Sequence, residues 1–373
     1  MKKLRIIQWG PGYIGTQGLK YIIKHPLMEL VGVKCFSDHK VGIDAGDLCG
    51  LPPVGVKATK DENTLLALNA DCVVFTCGDT SMQNPIPGTL GHEFLQAMCR
   101  ILESGKNVVA TTPMQMVYPK AMGADGDALV RMLNDSCIKG NSSIHFVGFE
   151  PGFMGDTLAS ILTSVSMDVT SMRTFELVDW ANYDKHDTLR ALGIGCSPDD
   201  PSRPFVLELF KNIWKTTVQE MADVMDIQLD DIRIWDRPVL ADEAFVAPGG
   251  LEIAKGTVAV AHWALEGLVD GVPRVAIEHC NRMRTDLVPH LPSVKPCGGY
   301  RIEIESNELP LSVDIHLGRA NATSKSFNSF DCAMYGTVAR AVNAVEMICA
   351  ASPGYKSKED LPHPITGRHA MWL

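Results

Sequence analysis

"IIQWGPGYIG", residues 6–15, runs from a short apolar stretch ending at Trp9 into glycines at Gly10, Gly12 and Gly15. Apolar residues in a brief unbroken run read as a buried strand, and "YIGTQGLKYIIKHP" beyond them reads as a helix. The spacing is G-x-G-x-x-G in the context the motif requires, directly after a strand and opening a helix. Each glycine has its own physical reason. Gly10 permits the sharp turn, Gly12 lets the backbone approach a pyrophosphate, and Gly15 lets the helix pack against the strand. The free N–H groups at the helix start, with Tyr13 and Ile14, then face the phosphates. The loop is expected to hold a dinucleotide.

The surrounding sequence extends the same pattern. "LRIIQW", "LVGVKCF", "DCVVFT", "KNVVAT" and "IHFVGF" read as buried parallel strands. Between them, "LGHEFLQAMCRILESG" places Leu90, Phe94, Leu95, Met98, Ile101 and Leu102 on one helical face. Strands alternating with helices indicate an α/β fold, a doubly wound Rossmann sheet. From about residue 167 the strands change character. "SMRTFELVDW", "IRIWDRPVLA", "GTVAVAHWALEGLVDG", "RVAIEHCNRM", "YRIEIES" and "LSVDIHL" alternate apolar with polar residues. Such alternation predicts a mostly antiparallel, open-faced sheet in an α+β domain, with a hairpin turn at 269–271. Helices are expected at about 205–225 and 331–350. The expected organisation is a nucleotide-binding domain over 1–155 and a substrate and dimerisation domain over 156–330. A C-terminal helix and tail over 331–373 would return toward the first domain.

Composition narrows the classes. With 46% hydrophobic and 21% charged residues the chain can build well-packed domains. A formal net charge of -10 argues against general nucleic-acid binding, which needs a basic face. No stretch reads as a signal peptide or is long and apolar enough to span a bilayer. The eleven cysteines are scattered singly, without C-x-x-C, as expected of a reduced, cytoplasmic chain. No HExxH or clustered histidines suggest a metal site.

Which dinucleotide binds turns on the end of the second strand. An NAD site usually carries an acid there for the ribose 2′-hydroxyl. "LVGVKCF" ends without one and continues into Ser37, Asp38, His39 and Lys40. Ser37, His39 and Lys40 suit a 2′-phosphate, so NADP(H) is favoured over NAD(H), with Asp38 keeping the alternative open. Thr76, Cys77 and Gly78, and Thr111, Thr112 and Pro113, follow strand ends and are expected beside the cofactor.

"WGPGYIG", "LVGVKCFSDHKVGIDAGDLCG", "GKNVVATTP", "GFEPGF" and "TVARAVNAVEMICAASPG" together resemble the dihydrodipicolinate-reductase-like superfamily. Within it, the sequence is most similar to 2,4-diaminopentanoate dehydrogenase and native amine dehydrogenases. The resemblance covers most of the chain. It implies a Rossmann domain, an α+β substrate domain, a homodimer and nicotinamide-dependent chemistry at an imine or amine carbon. The His-His-x-x-x-Lys stretch of true dihydrodipicolinate reductases is absent. Met114 and Gln115 stand where the amine dehydrogenases are expected to carry a glutamate.

Chemistry in an open α/β sheet lies beyond the carboxyl ends of its strands. Glu150, after "IHFVGF", is the best-placed carboxylate. Glu103 closes a helix at the opposite edge and is set aside. In "VDWANYDKHD", Tyr183 is a candidate donor to a substrate heteroatom and His186 a candidate proton relay. The expected activity is NAD(P)H-dependent reduction of an imine, formed from a ketone and ammonia, or the reverse, on a small and largely apolar substrate. Carbonyl reduction and non-catalytic dinucleotide sensing are the alternatives.

Overall fold

The computed structural model describes residues 2–78, 85–183, 185–294, 298–317 and 329–362. They divide into two units. One runs up to Phe149 and resumes at Met334, and the other spans Glu150–Ala333. The Pro/His-rich tail beyond residue 362 lies outside the described residues.

In the first unit the apolar runs become parallel strands: β1 (Leu4–Trp9), β2 (Met28–Lys34), β3 (Ala58–Thr59), β4 (Cys72–Phe75), β5 (Asn107–Ala110) and β6 (Ser143–Phe146). Their order is β6-β5-β4-β1-β2-β3, with Gly354–Lys356 added beside β6. This is the doubly wound arrangement the alternating pattern predicts. Side chains alternate across the sheet. Ile7, Val73 and Phe75 enter one core layer with Phe94, Leu95 and Met98. Ile6, Cys72 and Val74 enter the other with Leu19, Ile22 and, from the last helix, Val338, Ala341 and Val345. Because both faces are covered, the strands carry no polar alternation. Leu90, expected on the buried helical face, is instead 39% exposed, because it starts its helix at the rim of a cavity.

The second unit is built on β7 (Val169–Val178), β8 (Asp231–Asp236), β9 (Val239–Leu240), β10 (Phe245–Val246), β11 (Glu252–Ile253), β12 (Val258–Val269), β13 (Val272–Arg282), β14 (Gly298–Ser306) and β15 (Leu311–His316). The main sheet runs β15-β14-β7-β13-β12-β8 with β9 also on β12; β7 and β13 pair in parallel and its other pairs are antiparallel. Asp270 and Gly271, both at positive φ, make the hairpin turn between β12 and β13. Positive φ at both central residues matches the right-handed twist of the flanking strands. The helix Arg203–Val224 packs on β8, β12 and β13, and Thr157–Thr163 packs on β7. Among the described residues, no helix is long and apolar enough to cross a membrane.

Candidate functional site

The glycine loop lies where the strand order reverses, between β1 and its neighbours β2 and β4. Gly10 has φ +88°, a conformation an L side chain resists. A Cβ on Gly15 would lie 2.0 Å from the Gly10 carbonyl oxygen, so helix and loop touch only because Gly15 lacks one. Gly12 is different: a Cβ there meets nothing within 4 Å. It faces a cavity of about 640 Å³. Gly12 is also the cap residue of the helix Tyr13–Lys24 and supplies no capping side chain. The arrangement fits a pyrophosphate at the helix start.

Of the residues expected at the cofactor, Gly10, Gly12, Ser37, Lys40, Thr76, Cys77 and Gly78 line this cavity. Thr76 ties the two strand ends together: its hydroxyl donates to the Gly10 carbonyl (2.9 Å) and accepts from Gln8 Nε2 (2.7 Å). Thr112 donates from its hydroxyl to the Cys77 carbonyl, so it supports the lining from behind. Tyr13, Ile14, Gly15, Thr111, Thr112 and Pro113 are not among the lining residues, nor is His39, which is exposed on its short turn.

Lys34, Phe36, Glu62 and Arg100 line the cavity without having been singled out in the sequence. Lys34 ends β2, at the position where an NAD site usually has its acid. Its ammonium donates to the Lys60 carbonyl (2.7 Å) and lies 4.9 Å from the Phe36 ring centre. Lys40 Nζ donates to the Pro11 carbonyl (2.6 Å) within the glycine loop. Asp38 pairs with Lys60 (2.6 Å) and is not in the lining. The signal for Lys34 was a strand-end cation where only the missing acid had been weighed.

Glu150 begins the second unit, four residues past the end of β6 in the chain. The segment after it turns back, and the Gly155 N–H donates to its carboxylate. A Cβ on Gly155 would lie 2.6 Å from that oxygen, so the glycine makes the approach possible. Thr217 Oγ1 donates to the other oxygen at 3.4 Å. Burial pushes the Glu150 carboxyl well above the usual carboxylate range, and the charges of Asp156 and Glu176 add to this.

Glu176 lies near the carboxyl end of β7, opposite His279 on β13 and Tyr300 on β14. It accepts from Tyr300 Oη (3.0 Å) and Asn281 Nδ2 (3.1 Å), and His279 Nδ1 stands 3.3 Å away. Burial opposes its ionisation, but His279 and these donors outweigh burial and hold the carboxyl below its ordinary value. The His279 ring stacks on Trp263 with centroids 4.1 Å apart. Burial and the charges of Glu176 and Glu150 keep the Tyr300 phenol protonated far above its ordinary range. Glu176, His279 and Tyr300 were missed because polar residues at alternate strand positions look like a solvated face.

Tyr183 and His186 belong to the segment after β7. His186 is the first residue of a short helix, and its Nε2 is 2.8 Å from the Gly249 carbonyl, which ties two loops together. Glu103 ends its helix, pairs with Lys139 (2.7 Å) and is not among the residues that line the cavity.

Residues 153–371 match the family model for the 2,4-diaminopentanoate dehydrogenase C-terminal domain. The chain is 28% identical over 371 residues to an amine dehydrogenase of Streptomyces virginiae, covering 97% of each protein. An amine dehydrogenase structure from Mycobacterium smegmatis superposes with a TM-score of 0.71 at 18% identity, covering 97% of both chains. A probable dehydrogenase from Thermotoga maritima gives 0.57 at 13% identity, covering 96% of this chain and 92% of that one. With a dinucleotide loop in one unit and a desolvated carboxyl group in the other, the chain belongs to the 2,4-diaminopentanoate dehydrogenase and amine dehydrogenase-like family and is an NAD(P)-dependent dehydrogenase.

Proposed function

We propose that the protein interconverts a ketone plus ammonia with a primary amine, using NADP(H), and that Glu150 handles the proton. A bound nicotinamide supplies or accepts the hydride. The observation that carries the proposal is the Glu150 carboxyl, four residues past β6 and enclosed by the Gly155 N–H and Thr217, where burial and neighbouring acids push it toward its acid form. In the reductive direction the acid protonates the departing hydroxyl of the carbinolamine, which leaves as water, and the resulting carboxylate accepts a hydrogen bond from the iminium N–H. In the oxidative direction the carboxylate takes a proton from the water that attacks the iminium carbon.

Lys34 and Lys40 beside Ser37, with Asp38 engaged by Lys60, support NADP(H) over NAD(H). A homodimer is supported by the polar sheet face that carries Arg173, Arg233, Glu266 and Glu278, and the singly placed free cysteines accord with the cytoplasm. The second reading is simple carbonyl reduction, favoured by Met114 and Gln115 where a glutamate is expected.

The test is oxidation of NADPH over a panel of small ketones with and without ammonia, monitored with amine analysis. Ammonia-dependent turnover yielding amine supports the proposal; equal turnover without ammonia, yielding alcohol, replaces it with the second reading. Glu150→Gln keeps the size of the side chain but removes its titrating proton. It is expected to lower kcat by about 100-fold or more, the scale of general acid–base loss, with little change in NADPH affinity. Near-normal turnover of this variant from pH 6 to 9 would remove Glu150 from the chemistry.

A further inference from the structure

Glu176 is costly to bury as an ion: a carboxylate taken out of water is destabilised unless it is well paired. Here donors on both neighbouring strands converge on it: His279 and Asn281 from β13 and Tyr300 from β14. His279 is itself clamped between Trp263 (4.1 Å between ring centres) and Trp214 (4.6 Å). Among the described residues its Nε2 is buried without a hydrogen-bond partner, so the ring is committed to Glu176 through Nδ1. The fold therefore keeps one acid charged in its interior, in electrostatic contact with a second acid, Glu150.

We infer that Glu176 is a positioning residue for proton transfer: its buried charge, fixed in place by His279, Asn281 and Tyr300, holds the transferable proton on Glu150. The inference rests on the proposed role of Glu150. Both carboxyls meet the same stretch of the long helix: Thr217 contacts Glu150, and Trp214, about one turn away, packs on the His279 ring beside Glu176. Of two interacting carboxyls, the one with more donors keeps the charge. Glu176 has three side-chain partners, while Glu150 has the Gly155 N–H and a long contact with Thr217. The groups acting on Glu150 are Asp156, which caps the helix Thr157–Thr163, Glu176 on β7, Tyr300 on β14, and Thr217 on the long helix that also buries Glu220. Two of these, Asp156 and Glu176, carry negative charge when ionised, so removing Glu176 weakens the hold on the proton.

The experiment is the pH profile of kcat/KM for reductive turnover by the full-length enzyme. Activity needs the acid form of Glu150, so it falls on the alkaline side. In Glu176→Gln the alkaline limb is expected to move to lower pH by about one unit or more, the scale for strongly interacting carboxyls, with unchanged KM for NADPH. Glu176→Asp, which keeps the charge, should restore the limb toward its wild-type position. Tyr300→Phe loosens the hold on Glu176 without changing charge and should move the limb the same way by less, which decides the matter if Glu176→Gln does not fold. A slower Glu176→Gln enzyme with an unmoved limb, or a limb moved to higher pH, overturns the inference. If Glu150→Gln is itself fully active, the proposed role of Glu150 fails and this inference with it; if it is inactive and the limb stays put, only the role of Glu176 fails.

Discussion

Two glycines three residues apart make opposite demands, although both belong to one motif. Gly15 is excluded from carrying a side chain by the Gly10 carbonyl, 2.0 Å from where a Cβ would sit, whereas Gly12 opens onto the cavity. Gly12→Val should therefore leave the thermal midpoint close to wild type and abolish NADP(H) binding in a titration, because its branched side chain occupies the pyrophosphate position. Gly15→Val should instead unfold the first unit or lower its stability by about 1–3 kcal/mol, the usual cost of overpacking. Retained NADP(H) affinity in Gly12→Val, or a fully stable Gly15→Val, would contradict this division. The motif was legible as a dinucleotide loop; which glycine serves the ligand and which serves packing follows from where their absent side chains would point.

At the scale of the element, the proposed preference for NADP(H) turns on the end of β2. Lys34 and Lys40 both border the cavity, one from the strand and one from the short turn Asp38–Lys40 that follows it. Charge-assisted hydrogen bonds to a phosphate contribute about 1.5–3 kcal/mol, so each lysine is worth roughly tenfold or more in affinity. Lys34→Met and Lys40→Met should each weaken NADPH at least about tenfold more than NADH, while His39→Ala should change neither. Equal losses for both cofactors would remove the 2′-phosphate assignment. The sequence reading names Ser37, His39 and Lys40; Ser37 and Lys40 line the cavity together with Lys34, and His39 does not. A strand residue's direction depends on which face of the sheet it takes, and a turn residue's on the turn, so neither could be assigned from residue type.

The second unit's sheet has two differently used faces, and the proposed homodimer draws on the one away from the long helix. There Arg173 bridges Glu266 (3.0 Å) and Glu278 (2.7 Å), and Arg233 reaches Glu266 (2.8 Å). His262 Nε2 contacts Glu278 at 2.9 Å. A face organised this way suits a self-complementary two-fold contact, in which each copy presents the same patch. Light scattering at micromolar concentration should give the mass of a dimer. Arg173→Glu places a third negative charge beside Glu266 and Glu278 and should shift that mass toward the monomer. A wild-type monomer across this range would refute the assembly.

Sequence alone determined the glycine loop, the parallel strands and the change to an alternating sheet, because each is written in local spacing. The runs around Ile7, Val73 and Val108 are apolar on both sides since helices cover both faces, and Glu150 could be placed because it follows such a strand. Only tertiary structure decided what surrounds Glu150. Glu176, His279 and Tyr300 lie on three strands separated by more than twenty residues from one another along the chain, and their meeting is set by sheet order and register. Strand alternation tells which residues share a face, but it does not tell whether water or a helix covers that face. Here the helix Arg203–Val224 covers it, and polar residues that would be ordinary in water become a buried, charged cluster.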